Sequence, residues 1–273
     1  VLASGLRDGG AAWAGEGRAL GHEVTHGDLD VAGFPLSLRL RLGEASYVLN
    51  PQGVGWAWRG GGLGVTVSPW DPGHLEFSIH GVHRLTYASG DGGWRTATLS
   101  MGEGGEASGM VGLDGAGLPW AGFLDAEGLE VKLREDGATV ALRRFHFDLR
   151  KHPPSEMVDG EAAGEDGEAG LIPAHEAVFL QAAFILEGLR LPEETTQPFG
   201  PEVDLVQGRI DLLGAPPRGP ARAAAQAWRD DGGTVELGGF ALRWDGLDVS
   251  GEGTLALDGE LQPTGAMTLS VPG

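Results

Sequence analysis

The sequence predicts a mainly β protein, and three observations predict it. Glycine takes 49 of 273 positions, well over twice the usual share of about 7%. Each glycine inside a helix costs about 1 kcal/mol relative to alanine, which rules against a helical bundle. Apolar residues recur with period two in one segment after another, separated by turns rich in Gly and Pro. The apolar fraction is 41% and no Gly-X-Y period runs through the chain, which sets aside disorder and collagen. The expected architecture is a curved antiparallel sheet with an N-terminal helix and a short helix near 220–230.

Residues 1–20 read as a glycine-weakened helix, with Leu2, Leu6, Trp13 and Leu20 as its apolar members. From about 22 to 49 the period becomes two. Leu36, Leu38, Leu40 and Leu42 alternate with Ser37, Arg39, Arg41 and Gly43, so leucines line one face and arginines the other. Val54, Trp56 and Trp58 repeat the pattern, as do Leu63, Val65 and Val67, and then Leu75, Phe77 and Ile79. Between them stand Asn50-Pro51, Gly60-Gly61-Gly62 and Trp70-Asp71-Pro72-Gly73, all with turn chemistry. Short strands continue as a meander through 82–150, among them 94–101, 129–134 and 138–150.

The stretch from Ser155 to Gly170 carries acids, no base and little apolar bulk, and reads as a solvated, mobile loop. Residues 174–189 fit two templates. Val178, Ala182, Ile185 and Leu189 suit a helix, while Phe179, Ala183 and their neighbours suit a strand buried on both faces. Pro220 to Arg229 is a short helix, started by proline and ended by Gly232-Gly233. Strands at 234–244, 247–257 and 261–271 complete the reading. The expected organisation is one β-rich domain over 1–273. The alternative is two lobes, 1–150 and 174–273, joined by the acidic loop 155–170.

Charge narrows the function. Acids outnumber bases 39 to 19, for a net charge of −20. Lys132 and Lys151 are the only lysines. A surface this negative repels phosphate backbones, and no basic patch offsets it, so no nucleic acid is expected as a partner. Cysteine is absent, which removes disulfides, thiolate metal sites and cysteine nucleophiles. No apolar run approaches the 18 to 20 residues, roughly, that span a bilayer.

The sharpest motif is His22-Glu23-Val24-Thr25-His26, which matches the H-E-x-x-H of zinc hydrolases. That chemistry needs a helix, so that both histidines share one face while the glutamate acts as base. Gly21 and Gly27 bracket the motif and Val24 and Thr25 are β-branched, which argues against a helix. No zinc or other cofactor is expected. Ser89-Gly90-Asp91-Gly92-Gly93 lacks a P-loop lysine and reads as a hairpin turn. No G-x-S-x-G stands in the sequence, and His80 and His83 read as polar residues after a strand. The expectation is a protein that is not an enzyme.

Several segments carry a family resemblance. Val31-Ala32-Gly33-Phe34-Pro35 with its alternating leucines resembles the opening strand of the DUF2125 family of bacterial envelope proteins. Trp56-Ala57-Trp58, Val67-Ser68-Pro69-Trp70-Asp71-Pro72 and Ala227-Trp228-Arg229-Asp230-Asp231-Gly232-Gly233 continue it. Leu242-Arg243-Trp244-Asp245-Gly246-Leu247 and Gly253-Thr254-Leu255-Ala256-Leu257-Asp258 follow in the same way. The C-terminal segment is also similar, more loosely, to AsmA-type repeats, whose curved sheets carry lipids. The resemblance implies a periplasmic location, tethered to the inner membrane by an N-terminal anchor that these residues do not include.

The function expected first is therefore non-enzymatic binding or transfer of a lipid or other hydrophobic molecule on an apolar sheet face. Leu36, Leu38, Leu40, Trp56, Trp58, Val65, Val67, Leu75, Phe77 and Ile79 are its candidate residues. The alternatives are an envelope scaffold or accessory subunit with a protein partner, and a zinc hydrolase using His22, Glu23 and His26. One expectation concerns stability alone. The acidic stretch cannot bury enough surface to offset the entropy of ordering it. Replacing residues 156–169 by a short Gly/Ser linker should leave the thermal midpoint within a few degrees by calorimetry, and a large fall would show the segment to be docked.

Overall fold

The computed structural model describes residues 23–27, 29–33, 35–49, 56–88, 93–102, 105–115, 117–133, 137, 139–152, 173, 175–192, 199–217 and 221–272. The helix expected over 1–20 and the loop expected over 155–170 lie outside the described residues.

Strands dominate the chain. They are β1 (Glu23–His26), β2 (Leu29–Ala32), β3 (Leu38–Leu42), β4 (Ala45–Leu49), β5 (Trp56–Gly60), β6 (Gly62–Ser68), β7 (Asp71–His80), β8 (His83–Ala88) and β9 (Trp94–Met101). There follow β10 (Ala107–Leu113), β11 (Pro119–Lys132), β12 (Thr139–Lys151), β13 (Val178–Arg190), β14 (Glu202–Leu213), β15 (Thr234–Trp244), β16 (Leu247–Leu257) and β17 (Pro263–Ser270). One helix, α1 (Ala221–Asp230), stands between β14 and β15. All the described strands belong to one antiparallel sheet, which does not close on itself among the described residues.

The sheet forks at β11. Residues 119–126 of β11 pair with β10, while 129–132 pair with β9. A long arm runs β10-β7-β6-β3-β2 and a short arm runs β9-β8-β5-β4-β1. On the other side of β11 the ladder continues without a fork from β12 to β17. The fork reflects a simple chain path. β1/β2, β3/β4, β5/β6, β7/β8 and β9/β10 are each one run of chain, broken at 27–28, 43–44, 61, 81–82 and 102–106. The chain crosses between the arms at those breaks, so an up-and-down meander yields two arms.

β11 and β13 each contain a left-handed glycine, Gly128 (φ 63°) and Gly188 (φ 64°), and the ladders keep their register on either side of it. A left-handed residue inside a strand is accessible at little cost only to glycine. At Gly188 the gap left by the missing side chain is filled from β12, where Arg143 lies 3.0 Å from the position of a Cβ.

Three sequence expectations change or resolve here. Leu36 is not in a strand: it sits in the turn before β3 and is 77% exposed. The Gly33-to-Ser37 turn, closed by Ser37 N–H donating to Gly33 O at 3.1 Å, takes the residues that the alternation alone assigned to the strand. Within residues 174–189, the part from Val178 onward resolves as strand β13. Long ladders to β12 and β14 satisfy the backbone on both sides of β13, which a helix would forgo. Ala88 of β8 pairs antiparallel with Trp94 of β9, while residues 89–92 of the expected hairpin turn lie outside the described residues.

The helix near 220–230 is present and is tied down by one side chain. The Trp228 indole Nε1 donates to Leu213 O at 2.8 Å and to Gly214 O at 3.0 Å, and the ring is buried. Gly232 (φ 88°) ends the helix, with Gly233 N–H donating to Trp228 O. Trp228→Phe keeps most of the packing and removes both bonds. It should cost about 1 to 3 kcal/mol, and Trp228→Ala about 3 to 5 kcal/mol. Denaturant unfolding of the two variants checks that order.

Candidate ligand-binding face

The cross-strand register sorts side chains into two chemically distinct faces. Residues opposite each other in an antiparallel ladder point to the same side of the sheet. Leu38 pairs with Val67, Val67 with Leu75, Leu75 with Val111, Val111 with Gly122 and Gly122 with Leu149. The same row continues through Ala182, Ile210, Leu237 and Gly253 to Met267. A second row runs Leu40-Val65-Phe77-Gly109-Leu124-Phe147-Phe184-Gly208. A third runs Leu42-Leu63-Ile79-Ala107-Ala126-Phe145-Leu186-Val206-Leu242-Val249. At about 4.8 Å per strand, the first row stretches roughly 50 Å across the sheet.

Glycines in these rows are covered by large neighbours. A Cβ on Gly109 would meet the Phe77 ring at 2.5 Å, and one on Gly208 would meet the Phe184 ring at 3.0 Å. The rings lie over bare backbone, which smooths the face and places aromatic surface beside shallow gaps. A cavity of about 250 Å³ opens there, with Phe77, Val111, Leu124, Phe147, Leu149 and Leu180 in its walls and Pro119 and Trp120 beside them.

The other face is polar. Arg144 lies 3.9 Å from Glu127 and 4.0 Å from Glu187, and His146 Nδ1 is 2.7 Å from Asp125. Asp211 is buried, but Arg209 Nε donates to it at 2.9 Å and Gln181 Nε2 at 2.8 Å. Such pairs on a half-exposed sheet contribute little stability, on the order of 0 to 1 kcal/mol each. Their role is to keep one side of the sheet wet.

The candidate residues divide between the two arms. Leu38, Leu40, Val65, Val67, Leu75, Phe77 and Ile79 come together in the long arm, in the rows just described. Trp56 and Trp58 do not join them. They lie on β5 of the short arm, opposite Tyr87 and Leu85 on one side and Leu49 and Tyr47 on the other. Trp56 stacks on Tyr47 at 5.5 Å and Trp58 on His83 at 5.9 Å between ring centres. Leu36 stands apart in its turn. The walls contributed by β10–β13 went unassigned in the sequence, although Phe145, Phe147 and Leu149 alternate as clearly as Leu75, Phe77 and Ile79.

The Glu23–His26 part of the H-E-x-x-H motif is strand β1, paired with β4. A strand puts Glu23 and Thr25 on one side and Val24 and His26 on the other, so the glutamate and the second histidine do not converge on a metal. Among the described residues no group of three or more His, Asp or Glu side chains has metal-site geometry. No helix among them is long and apolar enough to cross a membrane.

One family matches the whole chain, residues 1–273, and is described as an uncharacterised protein conserved in bacteria, DUF2125. The chain belongs to the DUF2125 family. No curated protein and no solved structure matches it. The sheet and its two faces are therefore read from this DUF2125 chain itself.

Among the described residues, the one polar side chain buried on the apolar side of the short arm is His83. Its Nε2 donates to His80 O at 3.2 Å and its ring stacks on Trp58. Desolvation by burial lowers its pKa below the usual histidine value, opposed by that backbone bond and aided by nearby His80. Burial thus disfavours the charged ring in the folded protein. As pH falls through about 6.5, the unfolded chain takes up a proton that the folded chain refuses, so stability drops on the acid side. Thermal unfolding at pH 7.5 and pH 5.5 should show this loss in the wild type. It should be smaller in His83→Phe.

Proposed function

We propose that this DUF2125 protein binds a lipid or similar hydrophobic ligand on the apolar face of its long arm and of β11–β17. One observation carries the reading. The described residues form a single sheet with a continuous apolar face, on which Leu38 and Val67 are buried while many other large side chains stay part-exposed. Stable sheets ordinarily pack their apolar face on a second layer, and here the only other regular element described is α1. Leu149, Ile210, Leu255, Met267 and Leu269 of that face are 37% to 54% exposed. A contiguous apolar surface of this extent marks a binding surface.

Binding would be driven by removing apolar area from water, about 25 cal/mol per Å², or roughly 0.8 kcal/mol per buried methylene. The protein would act as a carrier or holder without chemistry. Its location on the periplasmic side of the inner membrane is part of this proposal and rests on the family resemblance. A second reading, a scaffold whose apolar face a partner protein covers, is favoured by β17, an edge strand without charge and exposed at every residue. Such edges pair readily with another strand.

Native mass spectrometry of protein purified from envelope extract should reveal co-purified lipid. Two substitutions test the face itself. Phe77→Ala should cost well under the roughly 3 to 5 kcal/mol of a closed core yet weaken uptake of the neutral probe N-phenyl-1-naphthylamine. Ile79→Glu should fold, because its carboxylate stays hydrated at an open face, and should lose the probe. If Ile79→Glu abolishes folding, the face is a closed core. Undiminished probe uptake by a folded Ile79→Glu protein would sink the assignment of this face.

A further inference from the structure

A fourth row of the sheet contains a residue that the other three exclude. It runs Lys151-Leu180-Leu212-Val235-Leu255-Gly265. Lys151 is the only charged residue in the four rows, and one of two lysines in a chain of net charge −20. Its side chain helps to wall the cavity of about 250 Å³ beside Leu149, Phe147 and Leu180. Its ammonium lies 5.3 Å from the centre of the Phe179 ring. None of the ion pairs among the described residues involves Lys151.

We infer that Lys151 is a headgroup site: the cavity takes the acyl chain of a single-chain amphiphile while Lys151 holds its anionic head, a carboxylate or phosphate. This rests on the proposed lipid-binding function and narrows its ligand. Three features support it. Lys151 lines the apolar cavity, and its ammonium lies over the neighbouring Phe179 ring, so an otherwise apolar wall carries one cation. A cavity of this size is below the 300 to 1,000 Å³, roughly, of sites that enclose a whole drug-sized ligand, and suits a length of chain rather than a branched lipid. The position is at the last residue of β12, where the sheet ends and a head can remain in water. A charged partner strengthens the contact relative to a neutral hydroxyl.

The test compares dodecanoate with dodecanol, each below its aggregation limit at pH 8, as displacers of N-phenyl-1-naphthylamine. In the wild type dodecanoate should displace the probe at about tenfold lower concentration than dodecanol. Lys151→Met should remove that preference while leaving dodecanol unchanged, and Lys151→Arg should keep it. Lys132→Met, on the polar face of β11, should also keep it. Acetate and inorganic phosphate should displace nothing, since the head without the chain lacks the apolar contribution. Equal displacement by the two amphiphiles in the wild type, or a preference that survives Lys151→Met, overturns the headgroup site and leaves the lipid-binding reading standing. Failure of the probe and of both amphiphiles to bind overturns the lipid-binding reading, and the headgroup site with it.

Discussion

Everything in this structure depends on cross-strand register. Side chains in a strand alternate with period two, so a slip of one residue would send a whole apolar row to the wet side. Four rows hold their apolar identity from strand to strand, across sequence separations that reach from Leu38 to Met267. The long ladders β11·β12, β12·β13 and β13·β14 form the spine of this order. Within the spine, β11 and β13 each carry a left-handed glycine, Gly128 and Gly188, a conformation that side-chain-bearing residues rarely adopt.

A single layer with one apolar face is thermodynamically incomplete. Hydrophobic stabilisation scales with area removed from water, and half-exposed leucines and phenylalanines contribute only part of theirs. The buried apolar residues among those described are four alanines, which contribute least, and six larger side chains, Val24, Leu38, Val67, Val203, Leu213 and Trp228. The backbone ladders and partial side-chain contact hold the sheet. The remaining driving force is available to whatever covers the face. A ligand that does so stabilises the protein by mass action, because it binds the folded chain and not the unfolded one.

The distribution of charge fits this division of labour. Carboxylates and arginines pair across the polar face, where Glu127, Arg144 and Glu187 form a ladder and Asp211 is satisfied by Arg209 and Gln181. The apolar rows are free of charge except at Lys151. A cation at the end of an apolar slot and a strongly negative polar face would together admit a lone anionic head while repelling polyanions.

Much was legible in the sequence because period two is a local property. Leu38-Arg39-Leu40-Arg41-Leu42 and Leu75-Glu76-Phe77-Ser78-Ile79 declare both strand and face, and Pro220, the alanine run and Gly232 declare the helix. Leu36 shows the limit: it keeps the period but falls in a turn closed by a Gly33–Ser37 hydrogen bond, which alternation cannot register. Residues 174–189 were undecided in sequence because a strand apolar on both faces has no period, and only pairing with β12 and β14 settles it. What the sequence by itself determined was the β class, the helix site and which residues of each strand share a side. What only the tertiary structure decided was the order of strands, the fork at β11, the separation of Trp56 and Trp58 from the leucine rows, and the placing of Lys151 in an apolar row. The physical reason is that alternation fixes a side chain's face within its own strand, whereas its neighbours on that face come from hydrogen-bond register between segments far apart in the chain.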